Sequence, residues 1–445
     1  MTEILCKSGV SCSFYQEKRR WLDENKARRL FFIEERTEIP EEDDLIVLKN
    51  DRRVKIFHLE SPLQEESIAK KIARLSAFKE LEVLDEKWKA LIEPHHLAAN
   101  LITSDASDFG VAALRHLKKN LQKSARSFLS LKNTMAGTPA IIVGAGPSLE
   151  ENQEALKAWK DKALILAAGS AIQVVDVEPD LAVAIDPHTP LLRRKFPDVP
   201  LCFQGRVHPD SLTRIKGEKF TFPDSHFAFE SWLTGQESFN SGWTVGNAAV
   251  AMAVHLGCNP IILVGMDYCY RGKQKYATQK PSSLTTPLVA TTNAKGEAVE
   301  TQRDWLMAIQ WMETFAAAHP ETTFINATAN GMAIGKPFSA KPLNEIEPKE
   351  TGVLAKWASA MNSASSVELP ATKLTEWKES LKRCKKQPEG EIAFELLLEP
   401  LWQVWAPMFE RELMADPQPL PLTEKLKIQR TLFFQQIIEE HLRAL

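Results

Sequence analysis

At residues 144–148 an apolar run breaks into Gly-Ala-Gly-Pro-Ser and an acidic stretch follows, in "AIIVGAGPSLEEN". A strand that feeds a glycine turn and opens a helix is an arrangement that holds phosphate. The first N–H groups of the helix lack partners, and its dipole favours an anion. A dinucleotide site also needs a third glycine and an acid about 20 residues on, at the end of the next strand, for the ribose. Here the register reads Gly144, Gly146, Leu149, and the next strand ends in "AAGSA" (Ala167–Ala171). The lysine of a Walker loop is absent as well. Two readings of the turn remain. In one, the N–H groups of Gly146, Ser148 and Leu149 meet a mononucleotide's phosphate, with Pro147 setting the entry and Ser148 bonding the ligand. In the other, Ser148 only caps a plain strand-to-helix turn.

Other apolar runs end in residues of the same kind. Ser170 closes "ALILAAGS", Asp186 and His188 follow "LAVA", and Asp267 closes "IILVGMD". A lone Asp at a strand end is usually a turn former. Three such ends, on the side that carries the glycine turn, point to a shared cleft, with Asp186, His188 and Asp267 as candidate catalytic residues. In "SGWTVGNAAVAMAVHLG", Gly242, Thr244 and Gly246 precede a helix of small residues, where a second ligand group has room to approach. Tight helix–sheet packing accounts for the same alanines, and His255 reads as a packed or capping residue. Between Tyr268 and Thr301 lies a long polar segment carrying Arg271, Lys273 and Lys275. Segments of this length inside an α/β domain are usually lids or binding loops.

These ends need a sheet to align them. "AIIVGA", "ALILAAGS", "DLAVAIDP", "PLCFQG", "PIILVGMD" and "TTFINAT" are nearly continuous apolar runs with helical segments between several of them. Such runs are parallel strands covered on both faces. They predict a doubly wound, mostly parallel, Rossmann-like α/β sheet over 138–348, with its ligand at the carboxyl ends of the strands. Upstream, strands at Arg28–Glu35 and Arg53–Ser61 and a helix at Leu63–Phe78 predict a small α/β domain over 1–97, joined by a helical bridge over 98–137. Residues 349–445 read as a helical subdomain. Its Leu, Trp and Phe side chains are core or a homo-oligomer interface.

The 445-residue length suits two to three domains at roughly 100–200 residues each. With 55 basic against 58 acidic side chains, the charge makes no case for a nucleic-acid partner. The six scattered cysteines form no CxxC pair and read as reduced thiols of a cytoplasmic protein. Neither a signal peptide nor a membrane span is expected, since no apolar run approaches the roughly 20 residues a span requires.

Taken in order, "IIVGAGPSLEEN", "AAGSAI", "PDLAVAIDP", "GWTVGNAAVAMAVHLGCNPIILVGMDYCY" and "INATANGMAIGKPF" resemble the family of motility-associated factor glycosyltransferases and archaeal 6-hydroxymethylpterin diphosphokinases. The resemblance covers about Thr138 to Pro342. It implies a sialyltransferase-like catalytic domain in which Gly144, Gly146, Pro147, Ser148 and Ser170 hold a nucleotide, with Asp186 in the same cleft. Gly242, Thr244 and Gly246 would face the sugar or acceptor, and Asn326 and Thr328 would close the far side. The glycosyltransferase branch implies transfer of a nonulosonic acid from a CMP donor to a protein or glycan hydroxyl, with no required cofactor. The diphosphokinase branch implies ATP and Mg²⁺, with Asp186 and Asp267 as its oxygen ligands. A non-catalytic nucleotide-binding scaffold is the third expectation.

Overall fold

The computed structural model describes every residue except 1, 10–11, 39–43, 122–124, 188–194, 214, 226, 273–276, 278–287, 329, 349–351, 387–396 and 415–418. The chain forms two compact units, Met1–Gly110 with Glu379–Arg443, and Val111–Lys378 with Ala444–Leu445.

The first unit holds a four-stranded parallel sheet of β1 (Thr2–Lys7), β2 (Arg29–Glu34), β3 (Val54–His58) and β4 (Glu80–Val83), in the order β3-β2-β1-β4. The predicted strands are β2 and β3. The other two carry acidic residues among the apolar ones, and β4 is only four residues long, so their pattern is weak. Helix Glu65–Leu75 buries Ile68, Ala69, Ile72 and Ala73 at helical spacing and begins on Glu65 and Glu66, which suit its positive end.

The last helices belong to this unit and do not form a separate tail. Arg411, buried on helix Glu399–Met414, donates through Nη1 to the carbonyls of Leu75 (3.1 Å) and Ala77 (3.3 Å). It thereby satisfies carbonyls left open where helix Glu65–Leu75 ends. Trp402, Phe409, Phe433 and Phe434 pack together with ring centroids 5.5–6.1 Å apart, Trp402 and Phe434 buried and the other two half-buried.

The second unit is built on a ten-stranded sheet. Its strands are β5 (Ala125–Ser127), β6 (Ala140–Val143), β7 (Leu164–Ala168), β8 (Leu181–Ala184), β9 (Leu201–Gln204), β10 (Lys219–Phe222), β11 (Ile261–Val264), β14 (Phe324–Asn326), β15 (Ser339–Ala340) and β16 (Ser366–Val367). Between β11 and β14 the chain also forms a separate hairpin, β12 (Val289–Thr292) with β13 (Ala298–Thr301). The large sheet runs β15-β14-β11-β6-β7-β8-β9-β10-β5-β16, parallel throughout except where β16 meets β5. The doubly wound sheet is therefore present. All six predicted strands of this region are in it, while β5 interrupts the stretch expected to be a helical bridge.

Burial on both faces explains the apolar runs. Ala140 and Ile142 of β6 enter one core cluster and Ile141 and Val143 the other. Ile261 and Leu263 of β11 divide from Ile262 and Val264 in the same way. From β6 to β10 the chain winds in one direction, and then β11 is laid on the opposite side of β6. The order reverses between β6 and β11, which places the crevice of a doubly wound sheet at their carboxyl ends.

Candidate functional site

Beyond β6 and β11 the two chain segments stay in contact. The N–H of Gly144 donates to the Val264 carbonyl at 2.8 Å and that of Gly146 to the Gly265 carbonyl at 2.9 Å. The approach is close enough to exclude side chains. A Cβ at Gly144 would run into the Gly265 carbonyl, and one at Gly146 into the Asp267 carboxylate. Gly265 turns the partner segment at φ +67°, and Tyr268 holds φ +52° just after it.

Asp267 lies across the start of helix Leu149–Lys157. The Ser148 hydroxyl donates to its Oδ2 at 2.7 Å, and the Ser148 N–H reaches both carboxylate oxygens at 3.2 and 3.3 Å. Neither reading of the turn survives intact. Its N–H groups are not offered to a phosphate, because Gly146 bonds Gly265, Ser148 bonds Asp267 and Leu149 bonds the Gly146 carbonyl. Nor does the Ser148 side chain cap the helix. The anion at this helix start is the chain's own carboxylate.

Asp267 is 4% exposed. Burial pushes its carboxyl up to about 6, against the hydrogen bonds from Ser148 and the charge of Arg271, while Glu151 adds to the rise. A carboxyl in this range exchanges its proton near neutral pH, as a general base requires. Removing the hydroxyl in Ser148→Ala is expected to raise the carboxyl further. The acid limb of a kcat/KM profile should then move to higher pH, and an unmoved limb would show that Ser148 does not tune Asp267.

Two cavities meet at this side chain. The smaller, about 140 Å³, is lined by Gly144, Gly146, Ser170, Thr244, Gly246 and Asp267, with Trp305 at its side. The larger, about 640 Å³, runs from Asp267 along Glu151 and Arg271 to the β12–β13 hairpin. Thr244 begins helix Val245–His255 in a capping box, its hydroxyl accepting from the Asn247 N–H while the Asn247 side chain accepts from the Thr244 N–H. The N–H groups of Val245 and Gly246, the first two of that helix, have no acceptor among the described residues.

The other expected site residues stand apart from the cavities. Pro147 and Ser148 form the turn, with Ser148 fully buried behind Asp267. Gly242, at φ +66°, packs against Asn247 and Trp311. Thr328 accepts the Met266 N–H at 3.2 Å, and Asn326 accepts the Thr328 N–H at 3.0 Å, so this pair holds the Gly265–Asp267 segment in place. Asp186 is exposed at the end of β8 and lines neither cavity. Among the described residues no group of three His, Cys, Asp or Glu is placed to hold a metal. His188, Lys273 and Lys275 lie outside the described residues. His255 packs beside Phe128 and Phe239 with its Nε2 3.0 Å from the Leu129 carbonyl, as the packed reading has it.

Sequence reasoning missed Glu151, Tyr270, Asn293, Trp305 and Asn330. The long polar segment was the available signal for two of them, since Tyr270 and Asn293 sit within it. Glu151 and Asn330 meet at the site, where Asn330 Nδ2 donates to both Glu151 oxygens, at 3.1 and 2.9 Å.

Fold and site together define a doubly wound α/β protein with a paired cleft at its switch point and one buried carboxylate between the two halves. Within it, residues 112–273 match the family model described as 6-hydroxymethylpterin diphosphokinase MptE-like, in agreement with the resemblance read from the motifs. An uncharacterized protein of Treponema pallidum (strain Nichols) is 34% identical over 116 residues, 23% of this chain and 55% of that protein. The chain therefore spans about half the length of that curated relative. Among solved structures, that of the MAf glycosyltransferase from Magnetospirillum magneticum AMB-1 superposes with a TM-score of 0.58 at 16% identity, over 100% of this chain and 74% of the other. At that identity the likeness is one of fold. Among the described residues no helix is long and apolar enough to cross a membrane.

Proposed function

We propose that the protein is a nucleotide-sugar-dependent glycosyltransferase that moves a nonulosonic (sialic-type) acid from a CMP donor to a glycan or protein hydroxyl. The observation that carries this reading is the position of Asp267, a buried carboxyl with a near-neutral pKa where two cavities meet. One cavity is floored by glycines and faces the open N–H groups of Val245 and Gly246, which suits the donor's phosphate. The other is large enough for an acceptor. In the reaction, the acceptor oxygen bonds to the anomeric carbon and the bond from that carbon to the phosphate oxygen breaks. CMP leaves with the electron pair, and the hydroxyl proton passes to Asp267. The N–H donors at the start of helix Val245–His255 offset the charge that gathers on the leaving phosphate.

A second reading, diphosphoryl transfer from ATP to a hydroxymethylpterin, is favoured by the description of the matching family model. It requires a metal-bound triphosphate, and Asp186, one of the two oxygen ligands it implies, lines neither of the cavities that meet at Asp267.

Thermal denaturation with CMP, with ATP·Mg²⁺ and with ATP·Mg²⁺ plus 6-hydroxymethylpterin separates the two. At about 100 times its Kd, CMP is expected to stabilise the protein by about 2.7 kcal/mol. A response confined to ATP·Mg²⁺ with the pterin would replace the first reading by the second. Silence towards all three ligands would overturn both.

A further inference from the structure

We infer that the larger cavity is a subsite for a neutral, phosphate-free sugar, which presents one hydroxyl to Asp267. This rests on the glycosyltransferase reading and narrows its acceptor to a glycan.

The lining is acidic. Among the described residues it carries Glu151, Asp267, Glu297 and Glu300 against the single guanidinium of Arg271, which is already paired with Glu151 at 2.9 Å. A phosphate set against these four carboxylates would meet like charge, which disfavours it beside them. A polyol meets the opposite situation, since its hydroxyls are donors in search of fixed acceptors.

Three of these carboxylates are fixed by the chain itself. Ser148 holds Asp267 through its N–H and hydroxyl. Arg271 and the Asn330 amide hold Glu151. The Asn293 amide donates to Glu297 at 2.8 Å, while its own oxygen accepts the N–H groups of Lys295 and Glu297 at 3.0 Å and so shapes the hairpin turn. An ionised carboxylate accepts about four hydrogen bonds, so each anchored group keeps capacity for a ligand. Acceptors locked by neighbours lose little freedom when a ligand arrives, which is the condition for recognising a molecule made mostly of hydroxyls. Tyr270 borders the cavity as a buried residue, its ring packed on Trp305 with centroids 5.2 Å apart, and so backs the lining without offering an open face.

The test uses the full chain with CMP present, and galactose, N-acetylglucosamine and their 6-phosphates as probes in saturation-transfer NMR and calorimetry. At least one neutral sugar is expected to bind at millimolar concentration, and its 6-phosphate at least about tenfold more weakly. Ala290 and Ala298 line the cavity from exposed positions on the hairpin, so Ala290→Trp and Ala298→Trp fill it without entering the core. Each should weaken the neutral sugar at least about tenfold and leave the CMP-induced thermal shift unchanged. Binding of a Ser/Thr peptide in place of both sugars, equal binding of the phosphates, or loss of the CMP shift in both filled variants would overturn the inference. A wild-type protein that binds a neutral sugar and ignores CMP would instead overturn the donor reading and leave the sugar subsite standing.

Discussion

Asp267→Asn is expected to lower turnover by about 10²–10⁴-fold, the usual worth of a positioned general base, while CMP binds as before. The amide oxygen still accepts from Ser148, so the fold around the turn should persist. Two pH effects follow. The wild-type base works as the carboxylate, so kcat/KM should fall as the pH drops below about 6, where the carboxyl titrates. Stability runs the other way. The folded carboxyl is raised from its ordinary 3.8 to about 6, so the fold favours the protonated form. That contribution is complete below about pH 4 and is lost as the pH rises through about 6. A shift of this size is worth about 3 kcal/mol as an upper bound. Urea denaturation at pH 4 and pH 8 should show this loss in the wild type and its absence in Asp267→Asn. A variant with wild-type turnover would remove Asp267 from the chemistry.

Gly146→Ala should damage the cleft through a single added methyl. The added Cβ falls on the Asp267 carboxylate, held by Ser148, and close to the Gly265 carbonyl, which accepts from the Gly146 N–H. Overpacking of this kind costs about 1–3 kcal/mol, because neighbouring backbone has to move. Pushing Asp267 away also breaks its bonds to Ser148, so turnover should fall with the denaturation midpoint. A fall in midpoint with turnover intact would mean that the position of the carboxylate relative to Ser148 is irrelevant to function. If neither changes, the two segments are not as close as described.

The elements of the second unit were legible where both faces of a strand are buried. Six apolar runs became β6, β7, β8, β9, β11 and β14, since a strand covered on two sides has no polar alternation to confuse with a loop. Other strands escaped notice, among them β4 of the first unit and β5 and β10 of the second. β4 alternates acids with apolar residues, β5 is three residues long, and β10 begins on a lysine. The final helices were legible as helices but not as partners of the first sheet. Arg411 docks on helix Glu65–Leu75 through two main-chain carbonyls, and a backbone acceptor leaves no signature in residue type.

The glycine turn marks the same boundary inside the site. Gly144 and Gly146 announced a close approach, and Ser148 a hydrogen bond at a helix start. Those are properties of a missing Cβ and of a short hydroxyl, and they are local. The identity of the approaching group was not local. Asp267 stands 119 residues from Ser148, and it arrives because β11 is laid beside β6 on the side opposite β7. Thr328, expected in the cleft, became a support because its hydroxyl meets the Met266 N–H. The sequence by itself determined which residues permit a tight, polar, anion-holding turn. Tertiary structure alone decided that the turn holds a carboxylate of its own chain, because strand order, and not residue type, sets which loops meet at the switch point.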